Sequence, residues 1–345
     1  MNEQQQLISE TLHRLLEDHC PPGVVDAAEA GEWPAALWQA LTDTGLTLAG
    51  IPEEHGGSGG DLADSLLVLQ VAAKFGAPVP LAEHFMAGLL LSGAGQVATD
   101  RPMTVATGSF SLDSTGQLKG VADDVAFARW CDEVILTASA GSDRKICRVR
   151  MDQLNLETGC SVAGEPRDRI TVDVRLDADS IFDAPEDIEQ TLKLMGAATR
   201  AVMMAGALDA ILEMSVQYAM ERAQFGRPIS KFQAIQHQLA VMAGEVAASS
   251  MASHGAVAAF QSLDPVEIAI AKARVGEAVS AATDIAHGVH GAMGYTMEHS
   301  LNHRTRRLWC WREEYGSERY WQKLAGAAFL EAGADGLWNA ITSRG

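Results

Sequence analysis

The sequence predicts a mainly α-helical protein in which a small β domain separates two helical regions. Three observations support this fold class. Apolar residues are spaced as in amphipathic helices near the N-terminus, short β-branched runs alternate in the middle, and long Ala-, Leu- and Met-rich segments follow. These changes of pattern place the expected domains at residues 1–101, 102–186 and 187–345.

The N-terminal region contains three helical signals. The segment "LISETLHRLL" has apolar residues three and four positions apart, "PAALWQALTDTGL" opens with a proline, and "DLADSLLVLQVAAKFG" ends at a glycine. Proline is favoured at the first position of a helix and glycine just past its end. We therefore expect an N-terminal helical domain.

The middle and C-terminal regions differ in period and in composition. The runs "MTVAT", "DEVILTA", "KICRVRM" and "ITVDVRL" alternate, carry β-branched residues, and are separated by Gly, Asp and Ser, which predicts short strands. From Asp187 onward the apolar segments are 20–30 residues long and rich in small residues, which predicts a bundle of long helices. The methionines of this region are interpreted as core filling.

The bulk composition argues against several classes of function. A chain of 345 residues that is 47% apolar and 21% charged is expected to be soluble and globular. Its net charge of −19 argues against binding to duplex nucleic acid or to an anionic membrane, because phosphate binding needs clustered Lys and Arg. Five cysteines without a CxxC pair indicate neither a disulfide framework nor a zinc site. The absence of a signal-peptide pattern and of an apolar run of roughly 18 residues predicts a cytoplasmic protein.

One stretch does not look like an ordinary buried helix. In "MERAQFGRPISKFQAIQHQLAVMA", an arginine and two glutamines frame a Phe-Gly-x-Pro sequence where a core helix would simply continue. Polar side chains in this arrangement point to an anionic or polar ligand. The alternative is that Arg222 forms an ion pair with Glu221 or Glu213 on a solvated helix face.

Three segments resemble the acyl-CoA dehydrogenase family. "LWQALTDTGLTLAGIPEEHGGSGGDLADSLLVLQVAAKFG" resembles its N-terminal Pro-Glu-x-x-Gly-Gly stretch, and the arginine stretch resembles its Arg-x-x-Phe-Gly-x-Pro-(Ile/Leu)-x-x-(Phe/His)-Gln motif. "HGAMGYTMEHSLNHRTRR" is similar to its Gly-Gly-x-Gly-Tyr-Thr-x-Glu motif. The resemblance covers nearly the whole chain. It implies an N-terminal helical domain, a β domain that is reduced here, and a C-terminal four-helix bundle.

The resemblance implies an FAD cofactor and an acyl-CoA substrate that is dehydrogenated between its α and β carbons. In the family the arginine, phenylalanine and glutamine of the second motif reach the FAD of a neighbouring subunit. A guanidinium fork suits a pyrophosphate, and glycine lets the backbone approach a cofactor closely. The cofactor-binding residues implied for this chain are Arg222, Gln224, Phe225, Phe232, Gln233, His290, Gly291 and Gly294.

Two departures from the family put catalysis by this chain alone in doubt. The family's Thr-Glu-Pro-x-x-Gly-Ser-Asp and Trp-Ile-Thr-Asn motifs, which support the flavin ring, are absent after "TVAT", and Trp130 is interpreted as a packed strand residue rather than a substitute. The family's catalytic Glu, counted without gaps from Tyr295, falls on Tyr315. A slip of one residue would select Glu314. The family's other position for the base lies near Gly196, with no acid beside it.

These losses lead to two enzyme hypotheses. In the first, the chain is a non-catalytic subunit of an α2β2 acyl-CoA dehydrogenase whose sister subunit supplies the base and the flavin-ring contacts, so no residue here is assigned as catalytic. The segment "RRLWCWREEYGSERYW" resembles the shorter subunits of such bacterial enzymes, which implies a steroid-derived CoA ester. In the second, a homo-oligomer uses Glu314 as its base. A solvated ion-pair cluster of Glu313 and Glu314 with Arg312 is the structural alternative for these carboxylates.

A third class, a metal-binding or scaffold protein, has little support in the sequence. A carboxylate-bridged pair of metal ions in a helical bundle needs paired Glu-x-x-His motifs. Only one is found, from Glu10 to His13. We therefore expect no metal.

Overall fold

The computed structural model describes residues 2–342, apart from the side chain of Ile341. The described chain divides into two compact units. The first runs to residue 193 without residues 69–76, and the second consists of residues 69–76 and the chain from residue 194 onward. The expected division at 101/102 and 186/187 stays a prediction.

The helices confirm the predicted helical regions on both sides of the sheet. They are α1 Glu3–His19, α2 Pro22–Glu29, α3 Ala35–Asp43, α4 Leu62–Phe75, α5 Leu81–Gly93, α6 Ile188–Glu221, α7 Gln233–Ala259, α8 Pro265–His290, α9 Leu301–Glu313 and α10 Glu318–Thr342.

The helix ends follow from local sequence. Asn2 begins α1 with a capping box: its Oδ1 accepts from the backbone N–H of Gln5 at 2.8 Å, and Gln5 Oε1 accepts from the N–H of Asn2 at 3.2 Å. Asp264 caps α8 through its carboxylate, which accepts from Val266 N at 2.8 Å. Gly76, just past α4, has a positive φ of 67°, as the glycine signal predicts.

The first unit contains an eight-stranded sheet, and a separate two-stranded hairpin follows α6. The strands are β1 Met103–Ala106, β2 Ser109–Leu112, β3 Gln117–Ala126, β4 Glu133–Ala140, β5 Asp143–Arg150, β6 Asn155–Glu157, β7 Arg167–Arg175, β8 Ile181–Ala184, β9 Ala223–Gln224 and β10 Arg227–Pro228. The order across the sheet is β6-β7-β3-β2-β4-β5-β8, and β1 pairs with β4 in parallel. The hairpin is β9–β10.

The sheet confirms the four predicted strands and adds others. β1, β4, β5 and β7 cover the four runs singled out in the sequence, and their buried face includes Val134, Leu136, Cys147 and Ile170. The interpretation of Trp130 as a strand residue is wrong. It lies in a short 3₁₀ turn, where its ring is 5.6 Å from that of Trp33.

The second unit is built on long helices packed through small residues. α8 packs along both α7 and α10, and most of the buried residues of α8 are Ala, Val or Gly. Small side chains let helix axes approach closely, which explains the Ala-rich sequence.

Helix α6 is long and apolar enough to cross a membrane by its length and composition alone. In the protein, 89% of its most apolar window of 18 residues is buried. The described residues therefore contain one candidate span, and it is a buried helix.

His84 in α5 is a buried histidine that stays neutral. Its ring is fully buried and lies edge-on to Trp38 at a centroid distance of 5.1 Å. Nδ1 accepts a hydrogen bond from the backbone N–H of Met103 at 3.2 Å, so the proton is on Nε2, which has no hydrogen-bond partner in the described chain. Desolvation lowers the pKa of His84 to about 3.

We predict that His84 makes the fold sensitive to acid. Between the ordinary pKa of 6.5 and about 3, the unfolded chain binds a proton that the folded chain does not. The free energy of unfolding should therefore fall with decreasing pH by up to about 1.4 kcal/mol per pH unit in this window. In urea titrations from pH 7 to 4, His84→Gln should flatten this slope and the exposed control His254→Gln should not. Equal slopes for wild type and His84→Gln would contradict the prediction.

Candidate functional site

The arginine motif folds into the β9–β10 hairpin at the end of α6. Gln224 pairs with Arg227, and the two residues between them both have positive φ, 52° at Phe225 and 80° at Gly226. Two consecutive positive φ values define a type I′ turn, for which Asn-Gly and Asp-Gly are the usual sequences. The structure therefore places an aromatic residue where the backbone disfavours one.

Phe225 gains little contact in return for this strain. Its side chain is 91% exposed, and its ring meets that of Phe232 edge-to-face at 6.2 Å. A bulky residue held at positive φ costs on the order of 1 kcal/mol or more, and such strain concentrates at functional sites. The hairpin tip is thus shaped to present an aromatic ring outward.

Arg222 has a fixed backbone and an unengaged side chain. Its N–H donates to Tyr218 O at 2.8 Å, and its carbonyl accepts from Ile229 N at 2.8 Å. The side chain is exposed and has no hydrogen bond or ion pair with residues 2–342. The structural alternative for Arg222 is wrong, because Glu213 accepts from Lys74 at 2.9 Å and Glu221 accepts from Gln217.

The two motif glutamines are also available to a ligand. Gln224 and Gln233 are exposed, and their side-chain amides have no hydrogen-bond partner among the described residues. Phe232, directly before Gln233, is half-buried in an apolar cluster with Ile229 and Val289. This cluster brings the hairpin, the start of α7 and the end of α8 to one end of the second unit.

The end of α8 brings the other predicted residues to the same place. Gly291 has φ 58° and ψ −140°, and a methyl group added to it would meet no atom within 4 Å. The space beside Gly291 is therefore open, and its role in cofactor binding stays a prediction. Gly294 is buried, and a methyl group there would lie 2.9 Å from Cβ of His290. Close packing by itself accounts for glycine at 294.

His290 lies beneath the site. Its ring stacks on Tyr218 at a centroid distance of 4.5 Å, and Nδ1–H donates to Ala286 O at 2.8 Å. This bond leaves Nε2 as an acceptor, and that buried atom has no hydrogen-bond partner in the described chain. Burial lowers the pKa of His290, and desolvation does the same for His287 and His299, so this cluster adds no positive charge near pH 7.

The two predicted positions for a catalytic base meet in the second unit. Tyr315, which connects α9 to α10 with φ 57°, has its ring against Gly196 of α6. A methyl group on Gly196 would overlap ring carbons Cγ, Cδ1 and Cε1 of Tyr315. The ring of Tyr315 therefore occupies one of the two positions. The other position is Gly196, where a side chain would collide with that ring.

Glu314 is not part of a solvated cluster, which corrects the sequence interpretation. Its Oε2 accepts from Nε of Arg200 at 2.5 Å, and the Arg200 side chain is 2% exposed. The guanidinium carbon of Arg200 also lies 5.5 Å from the centroid of the Tyr315 ring. Arg312 pairs instead with Glu318, and the exposed Glu313 lies 3.9 Å from Arg312.

Lys272 of α8 binds the segment that connects α9 to α10. Its Nζ donates to the carbonyls of Arg312 at 2.6 Å and Gly316 at 3.0 Å. Burial lowers the pKa of Lys272 to about 8, so the amine is charged at neutral pH.

Arg200 and Lys272 were both missed in the sequence. A single arginine inside the apolar run "KLMGAATRAVMMAG" is the signal that could have identified Arg200.

Comparison with known proteins decides the family. The acyl-CoA dehydrogenase N-terminal domain matches residues 2–98, and the acyl-CoA dehydrogenase C-terminal domain matches residues 188–330. The chain belongs to the acyl-CoA dehydrogenase family. The family inferred from the three motifs is thereby confirmed, together with the fold of helices around a small sheet.

Among relatives of this acyl-CoA dehydrogenase family member is acyl-CoA dehydrogenase IpdE2 of Mycobacterium tuberculosis. It is 30% identical over 312 residues, which cover 87% of this chain and 89% of the relative. The ChsE4-ChsE5 complex from the same organism superimposes with a TM-score of 0.86 at 22% identity, covering 97% of this chain and 99% of that chain. The Tcur3481-Tcur3483 steroid ACAD variant superimposes with a TM-score of 0.85 at 22% identity, covering 96% of this chain and 99% of that chain. At these identities the solved structures show a shared fold.

The family implies FAD, and the second unit has groups that fit part of it. Arg222 offers unpaired guanidinium donors for a pyrophosphate, Gln224 and Gln233 offer free amides, and Gly291 offers open backbone.

The first unit offers fewer groups for the cofactor, because only Thr107 and Gly108 connect β1 to β2. Gly108 is tightly packed there, since a methyl group on it would lie 2.5 Å from Val121 O. The two-residue connection leaves no segment for the missing ring-supporting motif.

We predict that Gly196→Ala destabilises the protein because the added methyl group collides with the Tyr315 ring. Overpacking of this kind costs about 1–3 kcal/mol. The matched control is Gly326→Ala in α10, where a methyl group meets no atom within 4 Å. Unfolding in urea should show a loss for Gly196→Ala and an unchanged or higher stability for the control. Equal stabilities for the two variants would contradict this packing.

Proposed function

We propose that this chain is the flavin-completing, non-catalytic subunit of a heteromeric FAD-dependent acyl-CoA dehydrogenase. A sister subunit supplies the catalytic carboxylate and the flavin-ring contacts, and the assembly is α2β2. The packing of Tyr315 on Gly196 carries the proposal, because it fills both positions where the family's base would stand. The two named structural neighbours, which are complexes of two different chains, support a sister subunit.

The division of labour follows from what the reaction requires. Dehydrogenation between the α and β carbons of a thioester needs a desolvated carboxylate within hydrogen-bond reach of the α proton. Glu314 is the carboxylate next to the vacated position, and it is bound to Arg200. The base therefore comes from the sister chain, and the FAD supplies the hydride acceptor.

The hairpin face is this chain's contribution to the shared site. Arg222 holds the pyrophosphate of a cofactor bound mainly by the sister chain, and Gln224 and Gln233 hydrogen bond its polar edges. Phe225 offers its exposed ring as an apolar surface for an adenine or for the partner's backbone. These four side chains are exposed, and Arg222, Gln224 and Gln233 have no hydrogen-bond partner among the described residues, as expected for groups whose partner belongs to another subunit.

A bulky CoA ester is the proposed substrate class. The support is the likeness to a complex described as a steroid ACAD, together with the resemblance of "RRLWCWREEYGSERYW" to the shorter subunits of such enzymes. A steroid-derived acyl-CoA is therefore the first substrate to test.

A homo-oligomeric enzyme that uses Glu314 is the second candidate. Glu314 lies directly beside the vacated position, and its side chain is 21% exposed, so solvent reaches it. This hypothesis requires the carboxylate to leave Arg200 during turnover. It predicts a full complement of flavin in the chain expressed alone.

We predict that the chain purified alone carries markedly less than one FAD per subunit, because the two-residue β1–β2 connection leaves no ring-binding segment. Co-expression with full-length acyl-CoA dehydrogenase chains of the same genome should yield a yellow complex with this chain as a stoichiometric component. The flavin absorbance spectrum and the mass of the assembly measure both outcomes. A yellow homotetramer with one flavin per chain would favour the second candidate.

We further predict that Glu314→Gln lowers stability without abolishing catalysis in the assembled enzyme. Removing one partner of a charged hydrogen bond to a buried arginine costs about 1–3 kcal/mol of unfolding free energy. The kcat should stay within about threefold of wild type, because a group that touches no reacting atom adds nothing to the transition state. The exposed control Glu313→Gln should change neither the unfolding free energy nor the kcat. A loss of kcat of about 10²–10⁴, with flavin bound and the assembly intact, would assign Glu314 as the base.

A further inference from the structure

Arg227 is a second unengaged guanidinium on the hairpin, at the variable position of the Phe-Gly-x-Pro sequence. Its side chain is exposed and forms no hydrogen bond or ion pair with the described residues. Its guanidinium carbon lies 4.4 Å from the centroid of the Phe232 ring. The Arg227 side chain thus lies over an aromatic face.

This cation–π contact leaves the hydrogen-bond donors of Arg227 without a partner among the described residues. A guanidinium over an aromatic ring is attracted to the ring face, and its N–H donors stay available for an anion. Phe232 is itself fixed in the apolar cluster with Ile229 and Val289. The planar group of Arg227 is thus positioned before any ligand arrives, so that less side-chain entropy is lost on binding.

The hairpin register places Arg227 on the same side as two motif residues. Arg227 and Gln224 are directly paired, so their side chains lie on one face of the ladder. Successive side chains of a strand alternate between faces, and the ladder continues through the bond from Ile229 N to Arg222 O. Arg222, two residues before Gln224, therefore belongs to the same face as Arg227.

The local charge favours an anion at this face. Residues 222–244 contain three cations, Arg222, Arg227 and Lys231, and no Asp or Glu, in a chain whose net charge is −19. This segment carries net positive charge in an otherwise acidic chain, and the carboxylate directly before it, Glu221, is hydrogen bonded to Gln217.

We propose that Arg227 acts with Arg222 as a two-arginine clamp for the pyrophosphate of the FAD that this chain completes. A pyrophosphate has two negatively charged groups, and two guanidinium forks on one face can each take one of them. The inference rests on the proposed function, since it assigns a further binding residue to the same shared site.

The test measures FAD affinity in the purified, flavin-containing assembly after removal and readdition of FAD. Arg227→Met keeps the apolar stem over Phe232 and removes the charge, whereas Arg227→Lys keeps a charge and loses the fork. We expect Arg227→Met to raise the dissociation constant of FAD about 10- to 100-fold, as for loss of a charged hydrogen bond, and Arg227→Lys to raise it less. Arg222→Met should give a loss of similar size, and the control Lys323→Met, at an exposed lysine of α10 outside the hairpin, should give none.

The other outcomes are distinct. If Arg222→Met weakens FAD binding and Arg227→Met leaves it within threefold of wild type, the clamp is overturned and the proposed function stands. If neither variant changes FAD affinity, both proposals fail. If Arg227→Met weakens binding of a CoA ester and leaves FAD unaffected, the phosphate belongs to the substrate and the assignment is overturned. If Arg227→Lys loses as much affinity as Arg227→Met and both lower the melting temperature of the assembly, Arg227 is a structural residue only.

Discussion

The ion pair between Arg200 and Glu314 is the contact on which the closed catalytic position depends. A guanidinium that is 2% exposed costs several kcal/mol in lost hydration unless a carboxylate neutralises it. Glu314 is therefore committed to Arg200, and the next residue, Tyr315, is placed against Gly196. Lys272 fixes the other side of the connection through two carbonyls. The carboxylate of Glu314 thus stabilises this part of the fold.

Helix α6 connects this closed position to the exposed hairpin. From Gly196 to Arg222 the chain advances 26 residues, which at 1.5 Å per residue is about 39 Å of nearly continuous helix. One part of the helix carries a glycine that packs against an aromatic ring, and directly after its last residue comes Arg222, whose side chain has no hydrogen bond or ion pair among the described residues. The same helix therefore has a tightly packed region and leads into an exposed hairpin.

Sequence patterns predicted the elements and the motif residues better than the side-chain partners. Periodicity and β-branched runs identify β1, β4, β5 and β7, whereas a strand as short as β6 depends on a neighbour distant in the chain. The exposed state of Arg222 could be anticipated from its motif. The bond from Arg200 to Glu314 could not, because it joins residues 114 positions apart. The type I′ turn was also hidden, since phenylalanine is not a residue that such turns favour.

The short connection between β1 and β2 is a feature that evolution cannot easily reverse. A missing side chain can return by a single base change in the gene. Thr107 and Gly108, however, directly join two strands that both pair with β4, and Gly108 packs against the backbone of β3. A longer flavin-supporting segment can return here only by insertion of several codons, which must open a closed strand connection at the same time. The short connection is therefore a difference in backbone length, which point mutation leaves unchanged.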